Sequence, residues 1–214
     1  MMKIKKSYIL FGVIAIFLSL LLVNGTILSQ VNEPDFKVIQ TYENIEVREY
    51  PPLVVAEVQF DGERKEAILK GFRVLADFIF GNNTPHIKIG MTAPVTQQRG
   101  EKIAMTAPVI QQASDDRGTW KVRFVMPEEY TLESLPKPNN NQIKILSIPE
   151  KHYVVIRFSG SAGEDSLRQK LAELDSYAKK EKINTTGEPI YAFYNPPWTL
   201  PFLRRNEIMI EVKQ

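Results

Sequence analysis

The chain has 214 residues, 43% hydrophobic and 24% charged, which is ordinary globular composition and excludes a disordered or fibrous protein. A formal net charge of +2 gives no electrostatic basis for a nucleic-acid partner, and none is expected. Cysteine is absent, so disulfides, thiolate metal sites and cysteine nucleophiles are excluded.

At the N-terminus, Lys3, Lys5 and Lys6 precede an uncharged run from Tyr8 to Val23 built mainly of Ile, Leu, Phe and Val. A basic flank before such a run is the pattern of a secretory signal or a signal anchor. A bilayer span takes about 20 apolar residues, so Tyr8–Val23 is short for a transmembrane helix unless the weaker tail to Leu28 is counted, and cleavage stays open. With the lysines cytoplasmic, either outcome places the bulk of the chain outside the cytoplasm, secreted or at a periplasmic membrane face. The chain divides into a signal peptide or membrane anchor over 1–28, a linker over 29–35 and a folded domain over 36–214.

The folded part carries an internal duplication. Ile45–Gly62 aligns without gaps on Ile143–Gly160, matching Pro51 with Pro149, Val58 with Ile156, Phe60 with Phe158 and Gly62 with Gly160. Each copy reads as strand, proline turn, strand. Helical periodicity follows in both, through Ile68, Phe72, Leu75 and Ile79 and through Leu167, Leu171, Leu174 and Ala178. Ser161, three residues before Glu164, predicts a capping box for the second helix.

A shorter repeat lies between the copies: Lys88–Gln98 recurs as Lys102–Gln112, each with strand alternation, and Pro94 and Pro108 mark edges or bulges. Further strands are predicted at Trp120–Met126, Ile190–Tyr194 and Ile208–Val212. Antiparallel strands with two helices and no βαβ rhythm give an α+β fold.

The two helices differ. The second has a narrow apolar stripe and a charged back of Arg168, Lys170, Glu173, Lys179 and Lys180. The first is apolar over far more of its circumference, through Ile68, Leu69, Phe72, Val74, Leu75, Ala76, Phe78, Ile79 and Phe80, which predicts burial on two sides. Either a loop or subunit covers it, or its flank at Leu69, Phe72 and Ala76 closes on an apolar ligand. A second candidate wall is the proline-stiffened loop Tyr194–Arg205 with Trp198, Leu200, Phe202 and Leu203.

Catalytic motifs are scarce: no G-x-S-x-G, H-E-x-x-H or phosphate-binding glycine loop occurs. His86 and His152 are the only histidines, and His152 aligns with Val54, an ordinary strand position. Met91 and Met105 stand at strand spacing beside Ile and Val, as core residues do, although methionine also ligates iron.

In order along the chain, Tyr42-x-x-Ile45-Glu46-Val47-Arg48-x-Tyr50, the M-T-A-P-V of Met91–Val95 and Met105–Val109, Val122-Arg123-Phe124-x-Met126-Pro127, Tyr194-Asn195-Pro196-Pro197 and Arg205-Asn206-Glu207 resemble the SOUL haem-binding family. The resemblance implies duplicated β-α-β-β units forming a distorted antiparallel β-barrel flanked by two helices, with haem or another tetrapyrrole as ligand. It further implies apolar contacts from Phe72, Leu75 and Ala76, with Trp198 and Thr199 opposite. Leu69, Asp77 and Thr199 fall where the family places cations for the propionates, so Lys70, Arg73, Arg204 or Arg205 would substitute. Glu49 stands where some members carry a proposed axial histidine, leaving the iron ligand unknown.

The leading expectation is a non-enzymatic carrier of haem or a related tetrapyrrole, associated with a membrane through its N-terminal segment. A module for another amphipathic small molecule, or a hydrolase acting on one, remains open.

Overall fold

The computed structural model describes residues 33–85, 87–90, 93–99, 118–195 and 198–213. The expectations for the 1–28 segment, His86, Met91 and the second short repeat at Lys102–Gln112 lie outside the described residues. The elements are β1 (Lys37–Tyr42), β2 (Ile45–Tyr50), β3 (Leu53–Asp61), α1 (Arg64–Ile79), β4 (Asn83–Thr84), β5 (Val95–Arg99), β6 (Thr119–Val125), β7 (Lys137–Pro138), β8 (Lys144–Ile148), β9 (Lys151–Phe158), α2 (Glu164–Lys180), β10 (Thr185–Phe193) and β11 (Asn206–Val212). Nine strands form one antiparallel sheet in the order β1-β2-β9-β11-β10-β5-β6-β3-β8, and β4 pairs with β7. The fold is α+β.

The duplication is visible in that order. Replacing β2, β3, β5 and β6 by β8, β9, β10 and β11 maps the sheet onto itself about the β5–β10 pair. The first strands are exchanged between halves: β2 pairs with β9, and β8 pairs with β3. The strand-proline-strand segments are therefore not hairpins.

The exchange dictates the shape. Only Pro51 and Pro52 separate β2 from β3, a reach of about 11 Å at 3.8 Å per Cα step, yet these strands stand second and eighth in the sheet. The sheet must roll. Residues of β2, β3, β5, β6, β8, β9, β10 and β11 accordingly meet around one inner cavity, with the helices outside. Of the expected distorted antiparallel β-barrel the antiparallel sheet is present, and among the described residues no ladder closes it, β1 and β8 remaining edges. Pro51, Pro52 and Pro149 sit at the two crossings and have no N–H to donate across such a seam.

Period-two alternation sorts the side chains. Val154 and Ile156 pack with Leu167, Leu174 and Tyr177 under α2, while Tyr153 and Val155 turn inward. Val58, Val122 and Phe124 pack with Leu75, Phe78 and Ile79 under α1. The helix approaches closely at Gly71, where a Cβ would lie 2.6 Å from a Val122 methyl. Gly62 (φ +118°) and Gly160 (φ +103°) each end a strand before a helix, in backbone that side-chain-bearing residues rarely adopt.

Three expectations are corrected. The α2 N-cap is Gly163 with no side-chain cap bond, so Ser161 and Glu164 form no capping box. Among the described residues of Lys88–Gln98, Val95 onward is strand and 88–90, 93 and 94 are not; Ile89 donates its N–H to the Ile79 carbonyl at 2.8 Å, tying the segment to the end of α1. Strands β1, β4 and β7 carried no sequence signal strong enough to be predicted.

Candidate functional site

Inside the roll lies a cavity of about 60 Å³ bordered by Tyr50, Val55, Tyr153, Ile190 and Met209. Pockets for small molecules run from roughly 300 to 1,000 Å³, so a tetrapyrrole does not fit there. Beside it is a sealed ionic cluster. Arg48 (1% exposed) donates from Nη1 and Nη2 to the Glu207 carboxylate (0%) at 2.9 and 3.1 Å, and Tyr194 donates its hydroxyl to Glu207 at 2.6 Å. Arg205 donates to Glu207 at 2.9 Å from Nε and lies over the Tyr194 ring at 3.9 Å.

Burial opposes ionisation of both partners, but the pair outweighs it. Glu207 is held below the ordinary carboxylate range, by Arg48 foremost, and Arg48 above the ordinary guanidinium range. Burial also raises the Tyr194 and Tyr50 hydroxyls, and pushes Tyr153 up to about 12. The cluster is built from the motif residues at both ends of the chain. Sequence reasoning missed it because Arg48 and Glu207 lie 159 residues apart and only the exchanged strand β2 brings them together.

The outer face of α1 is different. Leu69 (58% exposed), Phe72 (37%) and Phe80 (63%) flank Ala76 on one stripe at helical spacing. Among the described residues no element covers Leu69, Phe72 and Phe80, so the expected second burial is not supplied by the described part of the chain. Phe72 rests edge-on against Phe124, ring centroids 5.4 Å apart, and so is anchored while still presenting a face. Leu75 is sealed in the core and supports the stripe from beneath, so its expected ligand contact is corrected. Ala76 is buried too (8% exposed), and Arg73 and Lys70 are exposed at the stripe's margin.

On the C-terminal loop, Trp198 (74% exposed), Leu200, Phe202 (66%) and Leu203 project outward, and Thr199 is half-buried. None of the cavities described here is lined by Phe72 or Trp198. Arg205 is consumed by Glu207 and Glu33 and Arg204 donates to the Thr199 carbonyl at 2.7 Å, which leaves Lys70 and Arg73 as the cations beside the stripe.

Two other places merit comparison. A groove of about 480 Å³ between the helix N-termini has adequate volume, but Glu63, Arg64, Glu164 and Arg168 line it and would be desolvated by an apolar macrocycle. His152 faces Glu49 across the β2–β9 ladder, Nε2 to Oε2 3.3 Å, and the donor atoms of Glu49, Glu150 and His152 lie within 4.8 Å of one another. That set can hold a cation, and it equally explains itself as a surface ion pair.

Among solved structures, the C-terminal domain of EcmrR is similar with a TM-score of 0.57 at 16% identity, covering 79% of this chain and 97% of that one. A hydrolase from Listeria innocua gives a TM-score of 0.55 at 13% identity, covering 82% and 94%. An uncharacterised conserved protein from Listeria innocua gives 0.53 at 12% identity, covering 86% and 93%. At these identities the likeness shows the fold alone. No curated protein matches the sequence. The model of the SOUL heme-binding protein family matches residues 31–211, nearly the whole described body including the sealed cluster and the α1 stripe, and the chain belongs to that family.

Proposed function

We propose that the protein binds haem or a related tetrapyrrole against the outer face of α1, as a carrier and not as an enzyme, at an extracytoplasmic membrane face. The observation that carries this reading is the exposed Leu69, Phe72 and Phe80 around the buried Ala76, on one stripe of α1 in a member of a haem-binding family. Leu69 to Phe80 spans about 16 Å along the helix axis at 1.5 Å per residue, enough apolar length for one face of a planar macrocycle. Arg73 and Lys70 stand where carboxylates at its edge would need cations. When bound, the group would supply its own iron chemistry.

The stripe itself carries no imidazole, thioether or phenol. Apolar contact and charge pairing therefore hold the ligand, and the iron contributes little to affinity. Titration with haem and with iron-free protoporphyrin tests this. Similar saturable affinities are expected from the Soret shift and from porphyrin fluorescence; binding of haem alone would point to a ligated iron at another place, and binding of neither would sink the reading. The extracytoplasmic placement rests on Lys3, Lys5 and Lys6 ahead of the apolar run, while no described helix is long and apolar enough to cross a membrane. A C-terminal reporter that works only in the cytoplasm should stay silent.

A further inference from the structure

We propose that the Trp198–Leu203 loop is a membrane-docking surface that rests in the interfacial layer of the bilayer holding the N-terminal segment. It depends on the reading of residues 1–28 as a membrane segment, and not on haem.

Isolated exposed apolar side chains are ordinary, but Trp198, Leu200, Phe202 and Leu203 are four exposed within six residues. The loop is not loose. Leu203 N–H donates to the Leu200 carbonyl at 2.9 Å, Arg204 N–H to the Pro201 carbonyl at 3.1 Å, and Gly160 N–H to the same carbonyl at 2.9 Å. Asn195 Oδ1 accepts the Arg205 N–H at 2.7 Å, and the Thr199 carbonyl accepts Arg204 Nε at 2.7 Å. The Thr199, Leu200 and Pro201 carbonyls and the Leu203, Arg204 and Arg205 N–H groups are thus satisfied within the protein, while the apolar side chains are exposed. A surface entering lipid needs that arrangement, since unpaired backbone groups are costly there, and Trp and Phe beside Leu are the residues of membrane interfaces.

The chain's own path selects lipid over a protein partner. Glu33, near the start of the described body, accepts two hydrogen bonds from Arg205 Nη1 at 3.0 and 2.9 Å, and Arg205 closes this loop. The apolar run ends at Val23, ten residues before Glu33, a reach of at most about 36 Å. With Tyr8–Val23 in a bilayer, the loop is held close to the same bilayer, and its effective concentration at the lipid is high. Arg205 is consumed by Glu33 and Glu207, so insertion is driven by the apolar side chains and should depend little on anionic lipid.

The test uses the full chain reconstituted into phosphatidylcholine vesicles, without and with added phosphatidylglycerol. The only tryptophans are Trp120 and Trp198 and there is no cysteine, so Trp120→Phe leaves Trp198 as sole reporter and Leu200→Cys takes a single nitrobenzoxadiazole label. Expected are a blue-shifted Trp198 emission, quenching by lipids brominated high on the acyl chain, and protection from aqueous iodide, alike in both lipid mixtures. Trp120, alone in Trp198→Phe, should stay unquenched by lipid. A vesicle-bound chain whose Trp198 and label at position 200 are both reached by iodide and untouched by brominated lipid would overturn the proposal. A chain that fails to sediment with vesicles removes the membrane-segment reading and this proposal with it. If Trp120→Phe does not fold, the label in the otherwise native chain gives the same decision.

Discussion

The two halves of the molecule keep the same inward-facing helix residues and diverge on the outside. Leu75, Phe78 and Ile79 of α1 hold the places that Leu174, Tyr177 and Ala178 hold on α2, with equal spacing and equal burial. On that alignment the outer stripe, exposed Leu69, Phe72 and Phe80 with the buried Ala76, corresponds to Arg168, Leu171, Asp175 and Lys179. Packing constrains the inner faces because each sits on the same kind of sheet. The outer faces are free of that constraint, and among the described residues nothing in the packing accounts for an apolar stripe on α1 alone. The interior diverges too: where the second half has Val155 and Met209, the first has Glu57 and Arg123 paired at 2.6 Å, and the Arg48–Glu207 pair has Leu146 and Lys121 as its counterparts.

The largest break should come from that sealed pair. Glu207→Gln leaves Arg48 and Arg205 without their carboxylate, and breaking a buried pair costs about 3–5 kcal/mol. Because Glu207 is held below its ordinary value of 4.5, its contribution is present above that pH and is lost as pH falls through the folded-state value. Thermal melts should show stability dropping below about pH 4.5 in the natural chain and a flatter acid limb in Glu207→Gln. An unchanged acid limb would mean that other carboxylates govern acid unfolding.

Next come the equivalent core positions. Leu75→Ala and Leu174→Ala should each cost about 2–5 kcal/mol, measured by denaturant unfolding, and should agree closely if the halves are as alike inside as their burial suggests. A large inequality would break the comparison. The outer positions sharpen it. Phe72→Ala should cost less than the roughly 3–5 kcal/mol of a buried phenylalanine, since over a third of it is exposed, while lowering haem affinity about tenfold, the equivalent of about 1.4 kcal/mol. Leu171→Ala on α2 should leave haem affinity unchanged.

Much of this was legible from local pattern. Period-two and period-3.6 alternation located β2, β3, β6, β8, β9, β10, β11 and both helices, and the Gly62/Gly160 match located the strand-to-helix turns. Pairing was not legible: strand-proline-strand reads as a hairpin, and nothing local reveals that β2 leaves its own half to pair with β9. The ion cluster was hidden for the same reason, since its partners meet only through that exchange. For the site, the sequence marked α1 as too apolar but could not tell burial from exposure. Leu75 and Leu69 look alike in a helical pattern, and only the packing on Val122 and Phe124 separates the sealed one from the open one.

The smallest effect concerns charge at the margin of the stripe. Arg73 is exposed on α1, and with Arg205 tied to Glu207 and Glu33 it is left with Lys70 to meet a ligand carboxylate. Exposed ion pairs contribute about 0.2–1 kcal/mol and weaken with salt, so Arg73→Gln should lower haem affinity by no more than about fivefold at low ionic strength and by less in 0.5 M salt. The paired measurement is Arg168→Gln on α2, which should not change haem affinity at any ionic strength. Equal, salt-sensitive losses from both would move the ligand to the charged groove between the helix N-termini, where Arg168 stands beside Arg64. A loss confined to Arg73 keeps it on the stripe, where apolar area supplies the affinity and charge sets the orientation.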